Sequence, residues 1–242
     1  KKAFSKARGL RGQTIGVLGI GSIAQEVIRR AAAFGLDVVV WSRRFDGEER
    51  PMRDAEARAF DLETEARLVR IALAPTAAAV ASRADILSVH LAFGPDTKGL
   101  VGREVLDALK PGATFINTAR AEIVDHAALL EVAREKRVRV GLDVFNAEPA
   151  TATGDFNDEL VSLPNVYGTH HIGASTDQAQ EAIAAETVRI VTSFKNTGKV
   201  PNVVNLASRT PATHMLVVRH RDRPGVLAHV FDNLREANLN VQ

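Results

Sequence analysis

The stretch from Thr14 to Phe34, TIGVLGIGSIAQEVIRRAAAF, constrains the fold more than any other part of the chain. Small and apolar residues from Ile15 to Leu18 run into Gly19-Ile20-Gly21-Ser22-Ile23-Ala24, and the apolar spacing then becomes helical at Ile23, Val27, Ala31 and Phe34. The pattern reads as strand, glycine turn, helix. Gly19 permits the tight turn, and Gly21 lets backbone approach a pyrophosphate at the helix N-terminus, where free N–H groups and the helix dipole favour an anion. Ala24 takes the third small position, where a helix packs closely on a strand. A lone GxGxxG/A is weak, but here a strand precedes it, an amphipathic helix follows, and a second apolar strand, Asp37 to Trp41, comes next. The stretch predicts a dinucleotide-binding βαβ unit with pyrophosphate contacts at Gly19, Gly21, Ser22 and Ile23.

The rest of the composition fits that reading. With 242 residues, 45% of them hydrophobic, the chain can bury one large core, or a large one and a small one. Lysine plus arginine number 31 against 29 aspartate plus glutamate, a net charge of +2 spread along the chain, so no nucleic-acid partner is expected. The lack of cysteine excludes disulfides and a cysteine-type zinc site and suits a reducing compartment. No apolar run approaches the roughly 18 residues of a membrane span, and the N-terminus has no signal-peptide h-region, so no membrane contact and a cytoplasmic location are expected. Both ends read as cut: the chain opens in the end of a helix or linker and stops at Val241-Gln242, inside an apparent strand.

Past the first unit, the end of the second strand bears on the cofactor. NAD-preferring folds of this kind place an acidic residue there to hold the ribose hydroxyls, and this chain has Ser42-Arg43-Arg44. A serine with arginines suits a 2′-phosphate, while an arginine can equally stack on adenine or lie solvated. These residues leave the choice of dinucleotide open; the cofactor expected is NAD, with NADP possible, and Ser42 and Arg43 are the candidates at the adenosine end. Phe45 to Leu68 is charged and without period, a polar helix or a surface excursion, and no chemistry is assigned to it.

Further strands are expected at Leu68 to Leu73, Asp85 to His90, Ala113 to Asn117, Val138 to Val144 and Asn165 to Thr169. Helices are expected from Pro75-Thr76 to Arg83, over Thr97 to Leu109, from an Asp125 cap to Lys136, and from Ser175 to Phe194. This alternation implies an α/β fold, a doubly wound, mostly parallel Rossmann-type sheet with ligands at the carboxyl ends of its strands. Thr118, Ala119 and Arg120 follow the fifth strand, Asp143 and Glu148 the sixth, His170 and His171 the seventh. An arginine, carboxylates and a histidine on one rim can orient a carboxylate and move a proton. His90 reads as a packing or backbone-bonding histidine, Asp125 as a helix cap and Asp222 as a surface turn residue.

With these residues in view, the chain resembles the D-isomer-specific 2-hydroxyacid dehydrogenase family, most closely its D-3-phosphoglycerate dehydrogenase branch. The runs GVLGIGSIA, INTARAEIVD, GLDVFNAEP and THHIGASTDQAQ carry the resemblance, which covers residues 10 to about 206. It implies that Arg120 binds the substrate carboxylate and keto oxygen, that His171 is the general acid/base and that Glu148 pairs with it. It also implies that Asp143 holds the nicotinamide carboxamide, with Thr118, Ala119 and Gly173 among the cofactor contacts. A hydride moving to or from the substrate C2 needs a proton transfer at the C2 oxygen, a task for an imidazole whose ring a carboxylate fixes. Three departures stand out. Ala121 follows Arg120 where glycine is usual, Ser42 replaces an aspartate, and His170 takes a place where relatives often carry proline. The family's substrate loop and phosphate-binding residues would lie before Lys1.

The organisation implied is a linker or helix end over residues 1–9, a dinucleotide-binding domain over 10–174, a helix and tail returning to the substrate domain over 175–206, a linker over 207–212 and a partial ACT module over 213–242. In the last segment a strand His214 to His220, the run Arg223-Pro224-Gly225, a helix Val226 to Ala237 and a strand from Leu239 resemble the first half of an ACT domain. An L-serine effector would there meet His220, Asp222 and Asn240, with Asp222 departing from the usual asparagine. The resemblance implies oxidation of 3-phosphoglycerate to 3-phosphohydroxypyruvate, the first step of serine synthesis, by a homodimer or tetramer. Two other functions stay open: an NADPH-dependent glyoxylate/hydroxypyruvate reductase, and a dinucleotide-sensing corepressor of the same fold.

Overall fold

Strand and helix alternate through the computed structural model, which describes residues 9–64, 67–146, 148–149, 154, 156–203, 216, 218, 220–221 and 223–239. The chain divides into two compact units, residues 1–180 and 181–242. Unit 1 runs β1 (Thr14–Leu18), α1 (Ser22–Ala33), β2 (Asp37–Trp41), β3 (Arg50–Pro51), α2 (Asp54–Ala59), β4 (Glu63–Thr64), β5 (Arg67–Leu68) and β6 (Ile71–Leu73). It continues through α3 (Ala77–Arg83), β7 (Ile86–Val89), α4 (Arg103–Asp107), β8 (Thr114–Asn117), α5 (His126–Glu135), β9 (Arg139–Leu142) and β10 (Val166–Gly168). Helix α6 (Asp177–Thr197) begins in unit 1 and continues into unit 2, which also holds α7 (Val226–Glu236).

The main sheet has the order β10-β9-β8-β7-β1-β2-β6-β3. Every pairing in it is parallel except that of the edge strand β3. The doubly wound fold expected from the sequence is therefore present. β1 sits between β2 and β7, so the strand order reverses there and opens a crevice at the carboxyl ends of β1 and β7.

Alternate residues of one strand enter different cores, which is why these strands read as continuous apolar runs. Ile15, Val17, Val38 and Val40 join Ile28 and Ile71 in one cluster. Leu18, Val39 and Trp41 join Val80, Leu87, Phe115 and Leu129 in the other. A Cβ at Gly16 would stand 2.5 Å from Val80 Cγ1 and 2.9 Å from Ala84 Cβ, so the bare glycine lets α3 lie against β1. Asp85 ties the lower end of the sheet together: its Oδ2 accepts from the Thr14 N–H at 2.9 Å and its Oδ1 from Lys110 Nζ at 3.0 Å. Asp125 caps α5 as expected, with Oδ1 accepting from the Ala128 N–H, and Thr76 caps α3 through the Ala79 N–H.

β6, β7, β8, β9 and β10 are one to three residues shorter than the runs expected for them, because pairing ends before the run does. The amphipathic segment Thr97 to Leu109 is helical only over Arg103–Asp107. Thr97, 2% exposed, donates from Oγ1 to the Ala92 carbonyl at 2.7 Å and so builds a turn where the spacing suggested a helix. α6 starts at Asp177, not Ser175, and reaches Thr197; none of its residues is buried, and Ile183, Val188, Val191 and Phe194 are exposed. The unstructured-looking Phe45 to Leu68 contains β3, α2 and the β4–β5 pair. Of the ACT-like segment, α7 matches the expected helix; the strands expected at His214 to His220 and from Leu239 fall largely outside the described residues.

Candidate active site

The glycine turn comes first. Gly19 has φ of +107°, its N–H donates to the Trp41 carbonyl at 2.8 Å, and a Cβ on it would stand 2.4 Å from the His90 carbonyl oxygen. Both conformation and space admit only glycine there. Gly21 is different: its backbone is extended at the N-cap of α1, and a Cβ would meet nothing within 4 Å. The space over it is open to a ligand, no side chain caps α1, and the first turn carries no acidic residue. Ser22 and Ile23 are exposed at this end, where uncapped N–H groups and the helix dipole suit a phosphate. The residues present fit a dinucleotide pyrophosphate.

At the end of β2 the Ser42 hydroxyl is buried and has no hydrogen-bond partner. Arg43 Nη1 donates to Asp96 Oδ2 at 3.0 Å, joining the end of β2 to the loop after β7 across β1. Both side chains of this pair are more than 60% exposed, so the bridge contributes little and Arg43 is free to turn to a phosphate. Arg44 goes elsewhere, lying over the Phe60 ring at 5.2 Å, so the arginine pair read from sequence reduces to Arg43. His90 bonds a side chain, not backbone: its Nε2 is 2.8 Å from Ser88 Oγ, and burial moves the imidazole below its usual range toward the neutral form.

The carboxyl ends of β8, β9 and β10 supply the rest. His171 has φ of +53°, and its Nδ1 lies 2.8 Å from Glu148 Oε2. The other Glu148 oxygen accepts from the Phe145 N–H at 2.7 Å. Burial opposes ionisation of Glu148, but the bonds from His171 and Phe145 outweigh it and hold the carboxyl below its ordinary range. Asp143, 6% exposed, binds the histidine turn: Oδ1 accepts from Thr169 Oγ1 at 2.6 Å and the Ile172 N–H at 2.9 Å, and Oδ2 from the Gly173 N–H at 3.0 Å. Gly173 thus spends its amide on Asp143.

Arg120 is exposed, its backbone extended at φ −146° and ψ 141°, with Nη1 donating to the Ala119 carbonyl at 2.7 Å. It stands two strands from β10, roughly 10 Å across the sheet. Thr118 is exposed beside it, while the Ala119 N–H is taken by Asn117 Oδ1 at 3.0 Å. The structure therefore joins His171 to Glu148 and places Arg120 on the same rim without contact to them among the described residues. His170 is exposed. Of the expected effector residues, His220 donates from Nδ1 to the Arg221 carbonyl at 3.0 Å, and Asp222 and Asn240 lie outside the described residues.

Sequence reading did not single out Asn117, Asp96 or Thr97, which act through their neighbours' backbone or charge. A cavity of about 780 Å³ lies away from this rim, at the opposite ends of β1, β2 and β6, against Thr14, Asp37 and Ile71. Among the described residues no helix is long and apolar enough to cross a membrane, and no group of histidine, aspartate and glutamate could hold a metal ion.

Residues 1–173 match the family profile described as D-isomer specific 2-hydroxyacid dehydrogenase, NAD binding domain. The chain is 37% identical over 239 residues to the D-3-phosphoglycerate dehydrogenase of Mycobacterium bovis, a match covering 96% of this chain and 40% of that protein. It is 35% identical to the hydroxypyruvate reductase of Thermotoga maritima, over 82% of this chain and 57% of the relative. Among solved structures, an NADPH-dependent glyoxylate/hydroxypyruvate reductase from Sinorhizobium meliloti, in complex with NADP and malonate, superposes with a TM-score of 0.65 at 27% identity, covering 82% of this chain and 55% of that one. The chain spans between about a third and just over half of the length of the curated relatives it matches.

Proposed function

Because the chain belongs to the D-isomer specific 2-hydroxyacid dehydrogenase family, through that family's NAD-binding domain, we propose that it carries the hydride-transfer site of an oxidoreductase acting on a D-2-hydroxyacid. The observation behind this is the His171–Glu148 pair at 2.8 Å, whose members follow the strands one and two places from the one that Arg120 follows, on the same rim as the open N-terminus of α1. NAD, when bound, supplies the hydride acceptor or donor. The N–H groups at Ser22 and Ile23 hold its pyrophosphate, and Ser42 and Arg43 flank its adenosine ribose. Asp143 Oδ2, with a single donor, keeps a lone pair for the carboxamide N–H, on the side of the site where Thr118, Ala119 and Gly173 lie.

The protein's own residues move the proton. An ionised Glu148 takes the Nδ1–H of His171, which fixes the tautomer and leaves Nε2 to accept the proton of the C2 hydroxyl during oxidation and return it during reduction. The Arg120 guanidinium grips the substrate carboxylate as a fork and sets C2 against His171.

For the substrate we take 3-phosphoglycerate, oxidised to 3-phosphohydroxypyruvate in serine synthesis. Its support is the match to the mycobacterial D-3-phosphoglycerate dehydrogenase, which runs over 96% of this chain and so beyond the nucleotide domain. An effector such as L-serine at His220, Asp222 and Asn240 belongs to the same reading. A second reading, an NADPH-dependent glyoxylate or hydroxypyruvate reductase, is favoured by Ser42 and Arg43 standing where a carboxylate would select NAD.

Turnover by the full-length protein with NAD and NADP against both substrate sets separates the two readings. His171→Ala and Arg120→Ala should each lower kcat/KM by about 10²-fold or more with dinucleotide binding kept, and Glu148→Gln should also move the acidic limb of the pH profile. Wild-type rates on glyoxylate with NADPH well above those on 3-phosphoglycerate would replace the first reading with the second. Full activity in His171→Ala would remove both.

A further inference from the structure

We infer that Asn117 is a positioning residue for substrate recognition: its amide donor sets the backbone from which Arg120 projects, so losing that donor weakens affinity for the hydroxyacid carboxylate more than affinity for the dinucleotide. The inference rests on the reading of Arg120 as the carboxylate-binding arginine.

Asn117 ends β8 and is 1% exposed, with a side chain that, among the described residues, bonds only into the turn that follows. Its Oδ1 accepts from the Ala119 N–H at 3.0 Å, and its Nδ2 donates to the Arg120 carbonyl at 2.9 Å. The first bond closes a turn that aspartate or serine could also close. The second requires a donor, which an amide has and an ionised carboxylate lacks. One planar group therefore fixes both the entry to the Thr118–Arg120 turn and its exit.

What it fixes is otherwise loosely held. Thr118 and Arg120 are exposed, and among the described residues the Arg120 side chain has only the neighbouring Ala119 carbonyl as partner. No packed residue among those described holds the guanidinium, so its direction is inherited from an extended backbone whose own carbonyl the amide captures. The register of β8 with β9, Asn117 opposite Leu142, then relates that turn to Asp143 and the histidine loop beyond it. Displacing an arginine fork by even about 1 Å removes bidentate geometry.

The experiment uses the full-length protein, with steady-state kinetics on the hydroxyacid, calorimetry with NADH and with malonate as a small carboxylate probe, and thermal melts. Asn117→Ser keeps an acceptor for the Ala119 N–H but replaces the two-armed amide with one shorter hydroxyl, which cannot bond the Ala119 N–H and the Arg120 carbonyl together as the amide does; it should raise the hydroxyacid KM and the malonate Kd at least tenfold while the NADH Kd changes less than about threefold. Asn117→Asp is the second variant. It should show the same defect at neutral pH and recover toward wild type, relative to wild type at equal pH, as acidification protonates the new carboxyl and restores a donor to the Arg120 carbonyl. Arg120→Ala is the control: if it leaves the hydroxyacid KM and malonate Kd unchanged, the carboxylate reading fails. If Arg120→Ala weakens both and the Asn117 variants weaken neither, or weaken NADH binding equally, the positioning role is overturned. If Asn117→Ser fails to fold, the comparison rests on Asn117→Asp, where absence of recovery on acidification overturns it.

Discussion

Asp143 bears two loads with one carboxylate. Three donors from the histidine turn meet it within 3.0 Å, and the turn is what holds His171 at its positive φ beside Glu148. Burial opposes its ionisation, yet the Thr169 hydroxyl and the two backbone N–H groups hold its carboxyl below the ordinary 3.8. A depressed carboxyl stabilises the fold fully above its ordinary value, and that contribution is lost as pH falls through the depressed value; Glu148, lowered from 4.5, behaves alike. Asp143→Asn sets an NH₂ group against an N–H or the Thr169 hydroxyl, which costs about 1–3 kcal/mol. Its melting point near neutrality should fall by several degrees, and its melting point should depend less on pH below about 4 than the wild type's; parallel acid slopes would show that the carboxylate is not bonded as described. The places of Asp143, Glu148 and His171 at strand ends on one rim were legible in the sequence, and the roles expected of them come from the family resemblance. The clamp was not, because its donors come from residues 26 to 30 positions on, and only the β9–β10 pairing brings them back.

Short elements hide from periodicity, and the excursion after β2 shows why. β3, α2, β4 and β5 are two to six residues long, shorter than the window in which an apolar period declares itself. Their charged residues, which made the segment look like surface, are what organise it: Arg50 grips Glu56 with two bonds of 2.8 Å, and Glu56 also accepts from the Arg53 N–H at 2.8 Å. Beneath them Phe45, Met52, Ala57 and Leu62 join the core of β1 and β2. The Arg50 bond, and after it the Arg53 N–H, lower the Glu56 carboxyl to about 2. Its contribution is therefore complete above the ordinary 4.5 and disappears as pH falls toward 2. Glu56→Gln should cost about 1 kcal/mol, a drop of roughly 3 °C in melting temperature, and leave dinucleotide binding unchanged. An unaltered melt would reduce the Arg50 fork to an ordinary surface contact. The longer elements, α1 and α5, were legible because they run 12 and 10 residues with one apolar face and, in α5, a side-chain cap.

At the scale of the molecule, the strand order turns one sheet into a two-ended site. β2 lies on one side of β1 and β9 on the other, four strand spacings apart, roughly 19 Å, with the glycine turn between them. On the proposed reading the adenosine end and the nicotinamide end are thus built by different halves of the fold, and a change at β2 can alter which dinucleotide binds without touching the His171–Glu148 pair. Ser42 is where that separation can be tested. Among the described residues its hydroxyl is buried without a partner, and the adjoining Arg43 is held only by an exposed bridge to Asp96. Ser42→Asp supplies an acceptor for a ribose diol, repels a 2′-phosphate and competes with Asp96 for Arg43. In calorimetry on this 242-residue chain, the ratio of NADPH to NADH affinity should fall about tenfold or more, and Gly19→Ala should abolish binding of both by driving a Cβ into the His90 carbonyl. An unchanged ratio in Ser42→Asp would place Ser42 away from the adenosine ribose, and retained binding in Gly19→Ala would mean that the nucleotide does not cross the turn at all.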